Sequence, residues 1–273
     1  MTSGKTGVSH IKQNELTVRI LSAAVLIPVV LGAVWFGGVA FALLILVVAF
    51  FMALEWAGLT NLPPQSLTLL GLATTGAVLS VSMGMEEVAL VLLGAAIVSS
   101  LAPAFAAQRV WLIGGILYLG LSLISVLWMR SGLENGLHVM MLLLICVWAT
   151  DIGGYFVGRT IGGKKLAPKI SPGKTWSGFF GAVIASSASA ALFGQIADVG
   201  SPVTLVVVGA VLACVAQMGD LLESAIKRHF GVKDSGALIP GHGGILDRVD
   251  GLITTAIALA AATWVAGMDV FQW

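Results

Sequence analysis

Asp220, Ser224 and Lys227 are spaced i, i+4 and i+7 within GDLLESAIKRHFGVKDSGALIPGHGGILDRVDG, residues 219–251. That spacing puts a carboxylate, a hydroxyl and an ammonium on one face of a helix. Asp247 and Asp250, at i and i+3, share a face of the next one. Between the two helices lie Lys227, Arg228, Lys233 and the turn Pro240-Gly241-His242-Gly243-Gly244. Carboxylates beside a basic, glycine-rich loop suit Mg²⁺ with phosphates, because Mg²⁺ takes one or two carboxylates, several waters and substrate phosphate oxygens. Such an ion offsets the cost of clustering Asp220 and Asp247 next to lipid. His242 has two readings, a ligand or base and a loop residue that hydrogen-bonds its surroundings; its flanking glycines favour the second.

A second basic stretch, GRTIGGKKLAPKISPGKTWSG, spans residues 158–178 and carries Arg159, Lys164, Lys165, Lys169 and Lys174. Glycine-rich backbone interleaved with Lys, Ser and Thr is a phosphate cradle. Ser171, Lys174 and Thr175 stand just before a helix start expected at Trp176, whose free N–H groups would face an anion. Binding of inner-leaflet phosphates without catalysis is an equal reading of this loop alone. Four acids lie in or beside apolar runs: Glu55, Asp151, Asp220 and Glu223. A charge at membrane depth is costly and usually faces a polar cavity. Asp151, followed by Gly153-Gly154, is a candidate for such a cavity or for a structural ion pair; Glu55 reads as structural or interfacial.

The elements that must carry these residues are membrane helices. Of 273 residues, 58% are hydrophobic and 10% charged, and the mean hydropathy is +1.01. A soluble domain averages roughly 25% charged residues, and a disordered chain would lack this apolar content. An all-α, polytopic integral membrane protein remains. Nine apolar runs are long enough to cross a bilayer, near 18–36, 38–57, 66–83, 86–106, 110–129, 136–157, 177–197, 202–221 and 251–270. The third and seventh are rich in Gly, Ser, Thr and Ala, which suits close helix packing. Cys146 and Cys214 both sit inside apolar runs and read as small buried hydrophobes.

Loop charges orient the stack. With the N-terminus in the cytoplasm and nine spans threaded, 13 of the 14 Lys and Arg residues fall inside and only Arg130 outside. The outer turns hold Glu86, Glu87, Glu134, Asp198 and Asp269. This is a positive-inside pattern. It places the polar segments 158–176 and 222–250 on the cytoplasmic face. Residues 1–130 read as a transmembrane region for a lipid groove or dimer contact, and 131–273 as the catalytic region. A net charge of +1 argues against nucleic acid as a partner.

At these residues the sequence resembles the phosphatidate cytidylyltransferase, or CDP-diacylglycerol synthase, family. The resemblance rests on Ser224, Lys227, Arg228, Lys233, Asp234, Pro240, His242, Gly243, Gly244, Asp247, Arg248 and Asp250, in register. Upstream it rests on Asp151, Tyr155, Phe156, Gly158 and Arg159, then Leu166, Pro168, Ile170, Ser171, Pro172, Lys174 and Thr175. Together these cover about 100 residues of the C-terminal half; Glu55-Trp56 is the main match in the N-terminal half. There are two departures: Ser177 stands where the family commonly has Glu, and Gly162 where it often has an aromatic residue. The resemblance implies transfer of CMP from CTP to phosphatidic acid, a homodimer in the cell inner membrane, and Mg²⁺ with a monovalent ion such as K⁺. Carried onto this chain, it makes Asp220 and Asp247 the metal-binding acids, with Asp151 and Asp250 as second-tier candidates. Lys227, Arg228 and Arg248 join the two Asp residues as catalytic candidates. Ser171, Lys174, Thr175, Ser224, Lys233, His242, Gly243, Gly244, Arg159 and Lys169 are substrate-binding candidates.

Three other classes use similar residues. A transporter of an organic phosphate or ion would use intramembrane acids, but at the midplane, whereas these cluster at one face. A CDP-alcohol phosphotransferase would carry a D-G-x2-A-R run, whereas Asp250-Gly251 continues into LITT. A lipid-binding scaffold has no need of Asp220 beside Asp247.

Overall fold

The computed structural model describes residues 5–238 and 243–273, with side-chain surroundings described from Leu21 onward. Among these residues the chain forms nine α-helices and one two-stranded ribbon. In order they are α1 (Lys5–Phe36), α2 (Gly38–Thr60), α3 (Pro64–Ser82), α4 (Glu86–Ser99), α5 (Arg109–Ser131) and α6 (Gly136–Thr160), then β1 (Lys165–Ala167), β2 (Ser171–Thr175), α7 (Trp176–Ala197), α8 (Pro202–His229) and α9 (Leu246–Ala266).

A helix lies at each of the nine expected runs, and among the described residues seven are long and apolar enough to cross a membrane. The seven are α2, α3, α5 with the turn before it, and α6 to α9. The described apolar part of α1 is Leu21–Phe36. The fourth run is broken: α4 stops at Ser99, and Pro103 opens a 3-10 turn that runs to Gln108 before α5 begins. Proline has no N–H to continue the helical ladder. The expected loop 158–176 contains the ribbon, with Lys165 opposite Thr175 and Ala167 opposite Ser171. A strand that holds Pro172 and Gly173 has no strand signal, so sequence pattern alone does not reveal it.

Helix packing follows the small residues. The closest pair is α6 with α7, which meet where side chains vanish. A Cβ on Gly153 would stand 2.7 Å from the Gly181 carbonyl oxygen, and one on Gly178 would stand 2.8 Å from that of Gly154. In lipid, where burial gives helices no reason to associate, such close approach supplies the van der Waals contact that holds them. Ser186 adds a hydrogen bond from its hydroxyl to the Gly209 carbonyl on α8, at 2.8 Å. On the other side of the bundle α2, α3, α4 and α5 pack together, and α5 also meets α9. Trp56 of α2 sits in a notch at Gly115 of α5, where a Cβ would be 2.4 Å from the indole nitrogen. The indole N–H donates to the Trp111 carbonyl at 2.9 Å.

Arg130, the one base expected outside, has a structural task. Its guanidinium donates to the carbonyls of Val34 and Trp35 at 2.6 and 3.1 Å. These are last-turn carbonyls of α1, which otherwise lack partners and carry the negative end of the helix dipole. Gly37, at φ +63°, leaves room for the guanidinium. Cys146 is buried, Cys214 half-buried, and both are free thiols.

Candidate active site

The C-terminal end of α6, the ribbon, the N-terminal end of α7 and the C-terminal part of α8 enclose a cavity of about 630 Å³. Its wall includes Asp151, Tyr155 and Arg159 from α6, and Gly162, Gly163 and Lys165 after it. Gly173, Lys174 and Thr175 come from β2, and Gln217 and Asp220 from α8. A volume of this size accommodates a ligand of several hundred daltons. The loop after α6 therefore closes over this end of α8.

Lys174 and Asp220 form an ion pair across this cavity, with side chains 23% and 32% exposed. The other oxygen of Asp220 accepts from Ser224 at 3.3 Å, as the i, i+4 spacing requires. Arg159 donates to the Tyr155 hydroxyl at 2.7 Å, with its guanidinium 5.8 Å from the ring centre. Asp151 is exposed on the cavity wall, within electrostatic reach of Asp250, Asp220, Lys174 and Arg248.

Thr175 lies on the wall, but its hydroxyl caps α7. It accepts from the Gly178 N–H at 3.1 Å and lies 3.0 Å from the Ser177 hydroxyl. One of the free N–H groups expected to face an anion is thus already satisfied. Ser177 in turn donates to the Gly162 carbonyl. The two departures from the family pattern are therefore hydrogen-bonded to each other, closing the loop over α7.

Asp247 occupies a different setting. Its carboxylate accepts from Lys227 at 2.7 Å, from the Ser235 N–H at 3.0 Å and from the Gly244 N–H at 2.9 Å. It does not line the cavity with Asp220. A Cβ on Gly243, at φ +81°, would stand 2.9 Å from the same carboxylate. Lys227 also approaches Glu223 at 3.5 Å. Glu223 is 1% exposed, and neither of its carboxylate oxygens has a hydrogen-bond partner. Asp250 links the two settings, since it is coupled electrostatically to Asp220, Glu223 and Lys227.

The remaining candidates are at the periphery. Arg228 is exposed and donates to the carbonyls of Val232 at 3.0 Å and Ile170 at 3.4 Å, tying the end of α8 to the ribbon. Ser171 is half-buried on the ribbon, and Lys169, Lys233 and Arg248 are exposed. Gly244 is buried beneath Asp247. His242 lies outside the described residues. Two residues with no assigned role in the sequence reading stand within the constellation. Glu223 is visible as an acid in an apolar run, i, i+4 from the Lys227 it meets, but nothing in its spacing shows that its oxygens lack hydrogen-bond donors. Gln217 lines the cavity and carries no sequence signal beyond polarity.

The donor set fits a divalent cation. Asp151, Asp220, Glu223, Asp247 and Asp250 stand within electrostatic reach of Lys174, Lys227 and Arg248. A buried carboxylate with unsatisfied oxygens is costly unless paired or metal-bound. Among the described residues no three His, Cys, Asp or Glu side chains already converge as ligands. Mg²⁺ needs no such convergence, because it keeps waters and takes substrate phosphate oxygens.

Residues 17–266 match the cytidylyltransferase family. A phosphatidate cytidylyltransferase of Brucella suis is 38% identical over 251 residues, which cover 90% of this chain and 92% of the relative. The enzyme of that name from Pseudomonas aeruginosa is 37% identical over 269 residues, covering 92% and 98%. The one from Bacillus subtilis is 41% identical over 138 residues, about half of each chain. Near full-length similarity of this kind goes with the motif residues and the cavity they line, and the chain belongs to the cytidylyltransferase family.

Proposed function

We propose that this protein is a phosphatidate cytidylyltransferase, which transfers CMP from CTP to phosphatidic acid and releases pyrophosphate, giving CDP-diacylglycerol for phospholipid synthesis. The observation that carries the reading is the Lys174–Asp220 pair on the wall of a glycine-lined cavity of about 630 Å³ in a chain of this family.

The chemistry needs little covalent help from the protein. The second pKa of a phosphate monoester is about 6, so phosphatidic acid is largely dianionic at pH 7 and is itself the nucleophile. Its phosphate oxygen bonds to the α-phosphorus of CTP as the bond from that phosphorus to the bridging β-phosphate oxygen breaks. The electron pair leaves with pyrophosphate. The obstacle is bringing a dianion to a tetra-anion, so the task is charge neutralisation and in-line positioning. Lys174 and Arg159 bind phosphate oxygens in the cavity, helped by the open backbone of Gly162, Gly163 and Gly173. Lys227, Arg228, Lys233 and Arg248 stabilise the pyrophosphate. Ser224 orients Asp220. Asp220 and Asp247, with Asp151 and Asp250 as further ligands, would hold Mg²⁺, with K⁺ as a second ion, and these ions would neutralise the reacting phosphates. Glu223 adds an unsatisfied carboxylate to that set.

The membrane setting belongs to the same proposal. Nine spans with the N-terminus in the cytoplasm would place the cavity on the cytoplasmic face of the inner membrane, where CTP is available. The protein would act as a homodimer, with residues 1–130 forming the lipid groove or the dimer contact.

Purified protein in detergent, given labelled CTP, phosphatidic acid and Mg²⁺, is expected to yield lipid-extractable label and pyrophosphate in equal amounts. Asp220→Asn and Asp247→Asn are each expected to lower turnover by about 100-fold or more, the scale of losing a preorganised charge contact to a transition state. Chelation is expected to stop the reaction and added Mg²⁺ to restore it. Near-normal turnover in Asp247→Asn would remove that residue from the metal set. Absence of label with folded wild type would overturn the transferase reading.

A further inference from the structure

We propose that Glu55 is a positioning residue of the transferase: a carboxylate in the N-terminal half that fixes the start of α9, and through it Asp247 and Lys227. The inference rests on the transferase reading and adds a residue to its machinery.

Glu55 lies five residues before the end of α2, in an apolar helix, and is 9% exposed. It has no basic partner in any ion pair described. Instead its two oxygens accept from the Ile245 N–H at 2.8 Å and the Leu246 N–H at 2.9 Å. The Ser235 hydroxyl lies within 3.4 Å of the second oxygen. Ile245 and Leu246 stand at the N-terminus of α9, where four N–H groups lack helical partners and the dipole favours an anion. α9 has no side-chain cap from its own preceding residue. Glu55 therefore caps a helix from the opposite half of the chain.

The same segment carries the reaction's candidate groups. Ser235 and Gly244 each present a backbone N–H to Asp247, and both residues also touch Glu55. A Cβ on Gly244 would lie 2.5 Å from a Glu55 carboxylate oxygen, and one on Gly236 would lie 3.0 Å from the other. The two carboxylates accept from adjacent backbone N–H groups, Asp247 from Gly244 and Glu55 from Ile245 and Leu246. Trp56, locked in the Gly115 notch of α5, sets the rotation of α2 that aims Glu55 at this segment. Misplacing a catalytic group by about 1 Å is enough to cost a factor of roughly 10² in rate.

The test compares wild type, Glu55→Gln and Gly236→Ala as full-length protein in detergent. Glu55→Gln keeps the size of the side chain but presents an NH₂ group to one of two N–H donors. Expected for it are a fall in kcat of about tenfold or more and a KM for CTP within about threefold, the split that follows from losing an interaction used only in the transition state. Amide hydrogen exchange should speed up in peptides covering 235–247 and nowhere else. Gly236→Ala places a methyl 3.0 Å from the Glu55 carboxylate and should give the same pattern at smaller amplitude, so it serves if Glu55→Gln does not fold. Wild-type kcat in a folded variant would overturn the proposal. So would a loss of activity that tracks loss of folded protein, with exchange raised throughout the bundle. An inactive wild type would instead overturn the transferase reading.

Discussion

Asp220 and Asp247 are of one residue type, yet their surroundings divide their labour. Asp220 opens on the cavity with one basic partner. Asp247 is held by an ammonium and two backbone N–H groups and organises the segment before α9. Lys227 is the residue on which that organisation turns, because it balances both Asp247 and the buried Glu223. Lys227→Ala should leave two buried carboxylates uncompensated, at a cost of about 3–5 kcal/mol. Thermal unfolding in detergent would read it as a drop in midpoint, separately from any loss of turnover. A change of under 1 kcal/mol, by the same measurement, would mean that the carboxylates find other partners.

At the scale of elements, the cavity depends on how closely α6 and α7 approach. Asp151 and Arg159 belong to one helix; Lys174 and Thr175 run directly into the other. Gly153→Ala puts a methyl 2.5 Å from the Ala185 side chain and 2.7 Å from the Gly181 carbonyl, so the helices must part. Overpacking of this kind costs about 1–3 kcal/mol. The widened cavity should lower kcat/KM for CTP by about tenfold, on the scale set for misplaced binding groups. Gly94→Ala, where the new methyl meets nothing within 4 Å, is the control and should match wild type in both measurements. Equal behaviour of the two variants would show that the glycine seam is dispensable.

For the whole molecule, the orientation turns on α4. Its 14 residues extend about 21 Å at 1.5 Å per residue, short of a hydrocarbon core of about 30 Å. The proposed threading still requires the chain to cross there, since otherwise α5 would run the other way and carry the cavity to the outer face. In that threading, local thinning of the bilayer and the 3-10 turn at Pro103–Gln108 would make up the shortfall. In a background with Cys146 and Cys214 replaced by Ala, Gly84→Cys should be labelled by an impermeant thiol reagent from outside intact cells. Ala102→Cys should be labelled only after the membrane is opened. Labelling of both from one side would contradict the nine-span threading.

The class of protein, the places of its helices and the motif residues of its family can all be read from the chain alone. Each was legible for a local reason. Hydropathy over about 20 residues is set by composition, helix faces by spacing, and the resemblance by motif residues in register. The ribbon and the break at Pro103 were harder to see, because a few residues of Pro- and Gly-rich chain carry little period. Only the tertiary structure decided which candidates meet. It put Lys174 against Asp220, 46 residues apart, and closed Asp247 onto Lys227 rather than onto the cavity. It also seated Glu55 beneath Leu246, 191 residues away. Pairings of that kind depend on how helices rotate and how near they come. Those are set by side-chain volume at every crossing together, as at Gly153 with Gly181 and Trp56 with Gly115, and no single segment contains them.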